Sequence, residues 1–178
     1  TCTVTARIVA GGALGKRFTR ATFTRVEPRP ALDLDGLVPG LAYRYYRGKW
    51  EQLPDFTALK PVAAGHVPTF GLQPRTRNED YALAFDGFIQ VPRTGVYTFR
   101  TESDDGSSLF IDGEHVVDND GIHGRETVAG RIALAAGLHA IRVTFFQRGH
   151  AASLSVRYAG PGIEDQPIPA GALSRKEN

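Results

Sequence analysis

The sequence predicts an all-β protein, an antiparallel β-sandwich or barrel. Three observations carry that expectation. Apolar and polar residues alternate in run after run, the period of a half-buried strand. The runs are separated by Gly and Pro, 20 and 11 of them, the punctuation of strands joined by tight turns. No segment sustains a 3.6-residue apolar period, so no long helix is expected.

In chain order, Thr3–Ala10 and Thr19–Arg25 alternate as two strands around a connection from Gly11-Gly12 to Gly15. Two strands alone are marginal in water, so they are expected to rest on a neighbouring domain. Pro28-Arg29-Pro30 marks a boundary. Residues 1–30 read as remnant strands of a preceding β-sandwich, and residues 31–178 as the main β domain, entered through the Pro- and Leu-rich stretch Pro28–Pro39. Tyr43 and Tyr45 share one strand face and Tyr46 the other, so at least one set packs into a core. Tyr97 and Phe99 share a face. So do Leu109 and Ile111, with Phe110 pointing away. Ile141, Val143 and Phe145 form a third such set, and Leu154, Val156 and Tyr158 a fourth. Asp112-Gly113 favours a type I′ hairpin turn. Thr94-Gly95 and Ala136-Gly137 each precede a strand. Short helical turns are expected near Asp55–Leu59 and Ala170–Leu173. Phe85, Phe88, Phe99, Phe110, Phe145 and Phe146 are expected in the core.

Size and composition set limits. A chain of 178 residues fills one full core. A formal net charge of +2 is too small for nucleic-acid binding by bulk electrostatics. The one basic run, Arg7, Lys16, Arg17, Arg20, Arg25 and Arg29, reads as a solvated face. No apolar stretch approaches the ~20 residues that span a bilayer. The single cysteine, Cys2, forms no internal disulfide, and a partner for it would lie upstream. A sequence without methionine is expected to be a piece of a longer protein, with any signal peptide upstream of it.

Ser103-Asp104-Asp105-Gly106-Ser107-Ser108-Leu109-Phe110-Ile111-Asp112-Gly113 resembles the signature of the PA-14 family, a β-barrel domain named after a bacterial toxin's protective antigen. Further matches are Gly40–Trp50, Phe85–Ile89, Asp118–Gly124, Leu134–His139 and Leu154–Gly162. The resemblance covers residues 38–162. It implies an antiparallel β-sandwich or barrel and a place in extracellular proteins such as bacterial glycosidases and fungal adhesins. Thr3–Arg29 resembles the tail of the β-sandwich that follows the catalytic barrel of some β-N-acetylhexosaminidases. The parent is therefore expected to be a secreted, periplasmic or surface glycoside hydrolase.

Asp104 and Asp105 end a strand. Neighbouring strand residues point to opposite faces, so two carboxylates converge there only on a special backbone such as a cis peptide. In sugar-binding adhesins of the resembling family, such a pair holds Ca²⁺, which in turn binds sugar hydroxyls. The remaining ligands come from a late loop, as an Asn side chain and two backbone carbonyls. The matching loop here is Gln147-Arg148-Gly149-His150-Ala151, with Gln147 at the Asn position. The resemblance thus implies Asp104, Asp105 and Gln147 as calcium ligands, and these with Asp120, His123 and His150 as glycan contacts. The alternative, open on the residues alone, is that the carboxylates cap loop N–H groups. Asp118-Asn119-Asp120-Gly121 begins like a Ca²⁺ loop but lacks the closing Glu and flanking helices of the twelve-residue pattern. It reads as a polar turn or a sugar-contacting loop.

Catalysis is not expected. No Gly-x-Ser-x-Gly elbow occurs, and the five histidines lack the i, i+4 spacing of a helical zinc pair. Tyr43, Tyr45, Tyr46 and Trp50 offer flat faces for sugar stacking, with core packing the competing role. The expected function is a non-catalytic carbohydrate-binding module, with a glycan and the parent's catalytic domain as partners. The alternative is a structural domain that packs on the parent without glycan affinity.

Overall fold

A computed structural model describes residues 2–10 and 13–177. The expected Gly11-Gly12 connection lies outside them. Among the described residues the chain forms fourteen strands, and its one helical element is a single 3₁₀ turn, Ala170–Ala172. The all-β, antiparallel expectation holds. The helical turn expected near Asp55–Leu59 reduces to one hydrogen-bonded turn, with the Ala58 N–H donating to the Asp55 carbonyl.

Strands β1 (Cys2–Ala10) and β2 (Ala13–Phe23) pair only with each other. Strand β2 begins before Gly15, so the connection is shorter than the sequence suggested. Val4, Val9 and Phe18 of this hairpin are exposed. The guanidiniums of Arg7 and Arg20 lie over the Phe18 ring.

The chain joins the sandwich at Arg29. Its N–H donates to the Ala133 carbonyl, and its own carbonyl accepts from the Ala135 N–H. Its guanidinium pairs with Glu114. Leu32 adds a hydrogen bond to Leu138.

The remaining strands are β3 (Leu37–Pro39), β4 (Leu41–Arg47), β5 (Ala63–Val67), β6 (Tyr81–Val91), β7 (Gly95–Asp104), β8 (Ser107–Ile111), β9 (Glu114–Asn119), β10 (Glu126–Leu134), β11 (Gly137–Gln147), β12 (Ser153–Gly160), β13 (Ile163–Pro167) and β14 (Leu173–Lys176). They make two sheets. The smaller runs β10-β7-β12-β13. The larger runs β3-β14-β6-β11-β8-β9, with β4 also on β6 and β5 on β4.

Alternation explains the core. Tyr97, Phe99, Val156 and Tyr158 of the smaller sheet meet Leu83, Phe85, Leu109, Ile111, Val143 and Phe145 of the larger. The β8–β9 turn is as expected, with Asp112 at φ 48° and Gly113 at φ 80°.

A second, smaller core lies on the outer face of the larger sheet. There Tyr46, Ala82, Ala84 and Phe146 are covered by Phe56, with Trp50, Leu53 and Leu59 packed around them. Tyr45 and Tyr46 are thus both buried, on opposite sides of one sheet. Two expected core residues need correction. Phe88 and Phe110 are half-buried and point outward, because their even positions in β6 and β8 face away from the main core.

Candidate functional site

The Asp104-Asp105 motif lies where β7 ends and turns into β8. The peptide bond between the two residues is cis. Gly106 follows because nothing larger fits. A Cβ there would stand 2.5 Å from the Phe146 ring, 2.9 Å from Asp120 Oδ1 and 2.9 Å from the Gly121 nitrogen.

Asp105 is buried, 4% exposed. Its Oδ1 accepts from the His123 N–H at 3.2 Å, and its Oδ2 from the Arg148 N–H at 2.8 Å. One carboxylate therefore ties together the β9–β10 loop and the β11–β12 loop. This is the capping role left open by the sequence, realised at Asp105. The Arg148 main chain takes part through its N–H.

Gln147, 1% exposed, completes the tie. Its Oε1 accepts from the Asp105 N–H at 2.9 Å. Its Nε2 donates to the carbonyls of Gly149 and, at 3.0 Å, Ala151. The contacts fix the orientation of the amide, since an N–H needs an acceptor and two carbonyls need a donor.

Below the motif sits a polar network that the sequence reading missed. Ser103 Oγ and Ser107 Oγ are 2.7 Å apart, and Asn119 Nδ2 donates to Ser103 Oγ and to the Glu126 carbonyl. Ser103 and Ser107 lie in the signature run and Asn119 in the stretch read as a polar turn, and nothing in their spacing marks them as partners.

Asp104 is different. It is half-buried, and its carboxylate makes no hydrogen bond among the described residues. Desolvation and, after it, the neighbouring Asp105 carboxylate raise its pKa. The opposing pull of His123, Arg125 and His150 does not cancel them.

The His123 ring is held by carbonyls on both sides, Nδ1 2.7 Å from Gly124 O and Nε2 3.1 Å from Asn119 O. Burial works against charging this ring. The two carbonyls, together with Glu126 and Asp105, outweigh it, and the pKa is raised above 6.5. His150 sits in the late loop at φ 64°. Asp120 turns the other way. Its Oδ1 accepts from the Leu53 and Gly121 N–H groups, which pins the Trp50–Leu59 loop to the β9–β10 loop.

The fold thus brings Asp104, Asp105, His123, Gln147 and His150 to one end of the sandwich and places Asp120 on its shoulder. The two late-loop carbonyls, of Gly149 and Ala151, receive N–H bonds from Gln147, and both Asp105 oxygens accept from backbone amides. Among the described residues no three His, Cys, Asp or Glu side chains form a metal cluster.

Two facing antiparallel sheets with a cis Asp-Asp corner and a loop cluster at one end define a class of β-sandwich. The chain belongs to the PA14 domain family, whose model matches residues 38–172. The match reaches past the resemblance seen in the sequence to include the 3₁₀ turn. No curated protein sequence matches the chain.

Solved structures share the fold. One is an anti-sigma factor domain-containing protein, 22% identical with a TM-score of 0.69. The alignment covers 79% of this chain and 50% of that one, so this chain spans half of its length. A PA14 sugar-binding domain from an RTX adhesin is 17% identical with a TM-score of 0.65, covering 78% of this chain and 99% of that one. The subtype-switched Epithelial Adhesin 9 to 1 A domain from Candida glabrata, in complex with β-lactose, is 12% identical. Its TM-score is 0.65, and the alignment covers 85% of this chain and 96% of that one.

Proposed function

We propose that this domain is a non-catalytic carbohydrate-binding module, with its primary contact at the end carrying Asp104, His123 and His150. One observation carries the reading: Asp104 is a carboxylate held at a partly open loop corner with its acceptor oxygens unused, beside a histidine whose pKa is raised. A sugar presents vicinal hydroxyls, and a free carboxylate can accept hydrogen bonds from them. Family membership and the shared fold of the PA14 sugar-binding domain from an RTX adhesin support it.

Asp105 and Gln147 act in this reading as positioning residues. They hold the two loops through hydrogen bonds that need no cation. The module acts by keeping an attached catalytic domain near its glycan, an effective-concentration effect. A secreted or surface glycoside hydrolase parent is part of the proposal, on the resemblance of Thr3–Arg29 to a hexosaminidase tail. No described helix is long and apolar enough to cross a membrane.

The test is titration on an array of terminal hexoses, fucose and N-acetylhexosamines, with calcium and with EDTA. Binding that survives EDTA and is lost in Asp104→Asn is expected. Silence across the array removes the reading. Binding abolished by EDTA keeps the sugar and refutes the cation-free loop.

A further inference from the structure

A groove of about 850 Å³ lies on the outer face of the larger sheet. It exists because the Trp50–Leu59 loop covers only part of that face. Tyr46, Ala82, Ala84 and Phe146 are roofed over by Phe56. Further along the same faces of β6, β11 and β8, the floor stays open. Asp86, Arg142, Phe110 and His115 lie in one row across four strands, each paired with the next. Phe88 lies beside that row, and Leu53–Thr57 form the wall. From β9 to Lys176 on β14 the groove crosses four strand spacings, about 19 Å.

Three features bear on what it holds. The floor mixes half-buried rings with fixed hydrogen-bonding groups. Phe110 stacks on His115 at 4.6 Å, and Asp86 is oriented by Arg44 at 2.6 Å and Arg142 at 3.7 Å. Such a surface suits a sugar ring, which has an apolar face and an edge of hydroxyls. The charges nearly balance: carboxylates at Asp55, Asp86, Asp118 and Asp120 stand against Arg142, Arg175 and Lys176. A neutral ligand fits that balance better than an acidic or basic one. Asp120, on the same β9–β10 loop as His123 and three residues before it, also lines the groove.

We infer that the groove is an extended subsite, and that the ligand is a linear chain of several neutral sugars running from the loop end onto the sheet face. The inference rests on the carbohydrate reading above and adds the length of the ligand to it. The sequence concealed the subsite because Phe88 and Phe110 read as core.

The experiment is calorimetric titration of the whole 178-residue chain with cello-, chito-, xylo- and galacto-oligosaccharides, from mono- to hexasaccharide. Affinity for the preferred series should rise about tenfold or more between the monosaccharide and the tetrasaccharide, as one added ring contact would give. Phe110→Ala should erase that gain and leave monosaccharide affinity alone. Arg142→Gln, a surface change, does the same if Phe110→Ala fails to fold by circular dichroism. Affinity independent of length overturns the subsite and leaves the loop reading standing. No binding at any length overturns both. Self-association of the free chain that is abolished by Arg142→Gln assigns the groove to a protein interface and overturns it too.

Discussion

The sandwich has an aspartate and a histidine at each end, and the two pairs are used differently. Strand β11 runs between them, with His139 near its start and Gln147 at its end, roughly 27 Å apart at strand spacing. At the far end Asp112 Oδ2 lies 2.7 Å from His139 Nδ1, its Oδ1 accepts from the Ala140 N–H at 2.8 Å, and His139 Nε2 reaches the Ala135 carbonyl at 2.9 Å. Every polar atom there has a partner, and His139 is fully buried. At the near end Asp105 is satisfied in the same way, but Asp104 beside it is not. A closed hydrogen-bond network fixes a turn. A network with one acid left over fixes a turn and offers a ligand site.

The largest expected effect breaks the far end. His139→Ala leaves Asp112 Oδ2 and the half-buried Ala135 carbonyl without their partner and opens a cavity. It should cost about 2–4 kcal/mol of stability, read from urea unfolding. Sugar affinity of the folded fraction should not change. A loss of affinity matching that of a near-end variant would mean that the two ends are not separable.

The near end should split into two behaviours. Asp105→Ala unties both loops, so stability falls by about 1–3 kcal/mol and binding falls with it. Asp104→Asn removes a charge that burial and Asp105 disfavour. A carboxylate whose pKa is raised on folding contributes less stability as pH climbs through that pKa. The neutral variant should therefore melt at the same temperature or slightly higher while glycan binding drops about tenfold or more. Lost stability in Asp104→Asn would show that its oxygens are already engaged, and the contrast between neighbours would vanish.

The sequence carried the sheets well, because a period of two is written directly in runs such as Ile141-Arg142-Val143-Thr144-Phe145. It also marked the corner residues Asp104, Asp105, Gln147 and His123. It could not say which carboxylate would be capped and which left free. That depends on backbone amides of His123 and Arg148, and every residue has an N–H. The outer groove was hidden for a related reason. Alternation gives the face of Phe88 and Phe110, but not which parts of a face a loop from Trp50 to Leu59 will cover. The prolines near residue 30 read as a domain limit, but nothing in them shows that Arg29 itself docks on Ala133 and Ala135.

The smallest effect, and the most specific, concerns pH at the near end. His123 has both ring nitrogens on carbonyls, an arrangement satisfied only when both carry protons. Its pKa is raised from 6.5 on folding. The stability it contributes is then fully present below pH 6.5 and is lost as pH rises through the raised value. The effect is modest because burial opposes the charge and Glu126 is 4.0 Å away on an exposed side chain. Thermal melting followed from pH 5.5 to pH 8.5, about three units spanning the ordinary histidine range, should show a shallow decline. His123→Gln should flatten that decline, because its amide carries no titrating charge. If instead His123→Gln leaves the decline as steep as in the unaltered domain, the titrating group lies elsewhere. The near end would then lose its claim to a charged histidine beside Asp104.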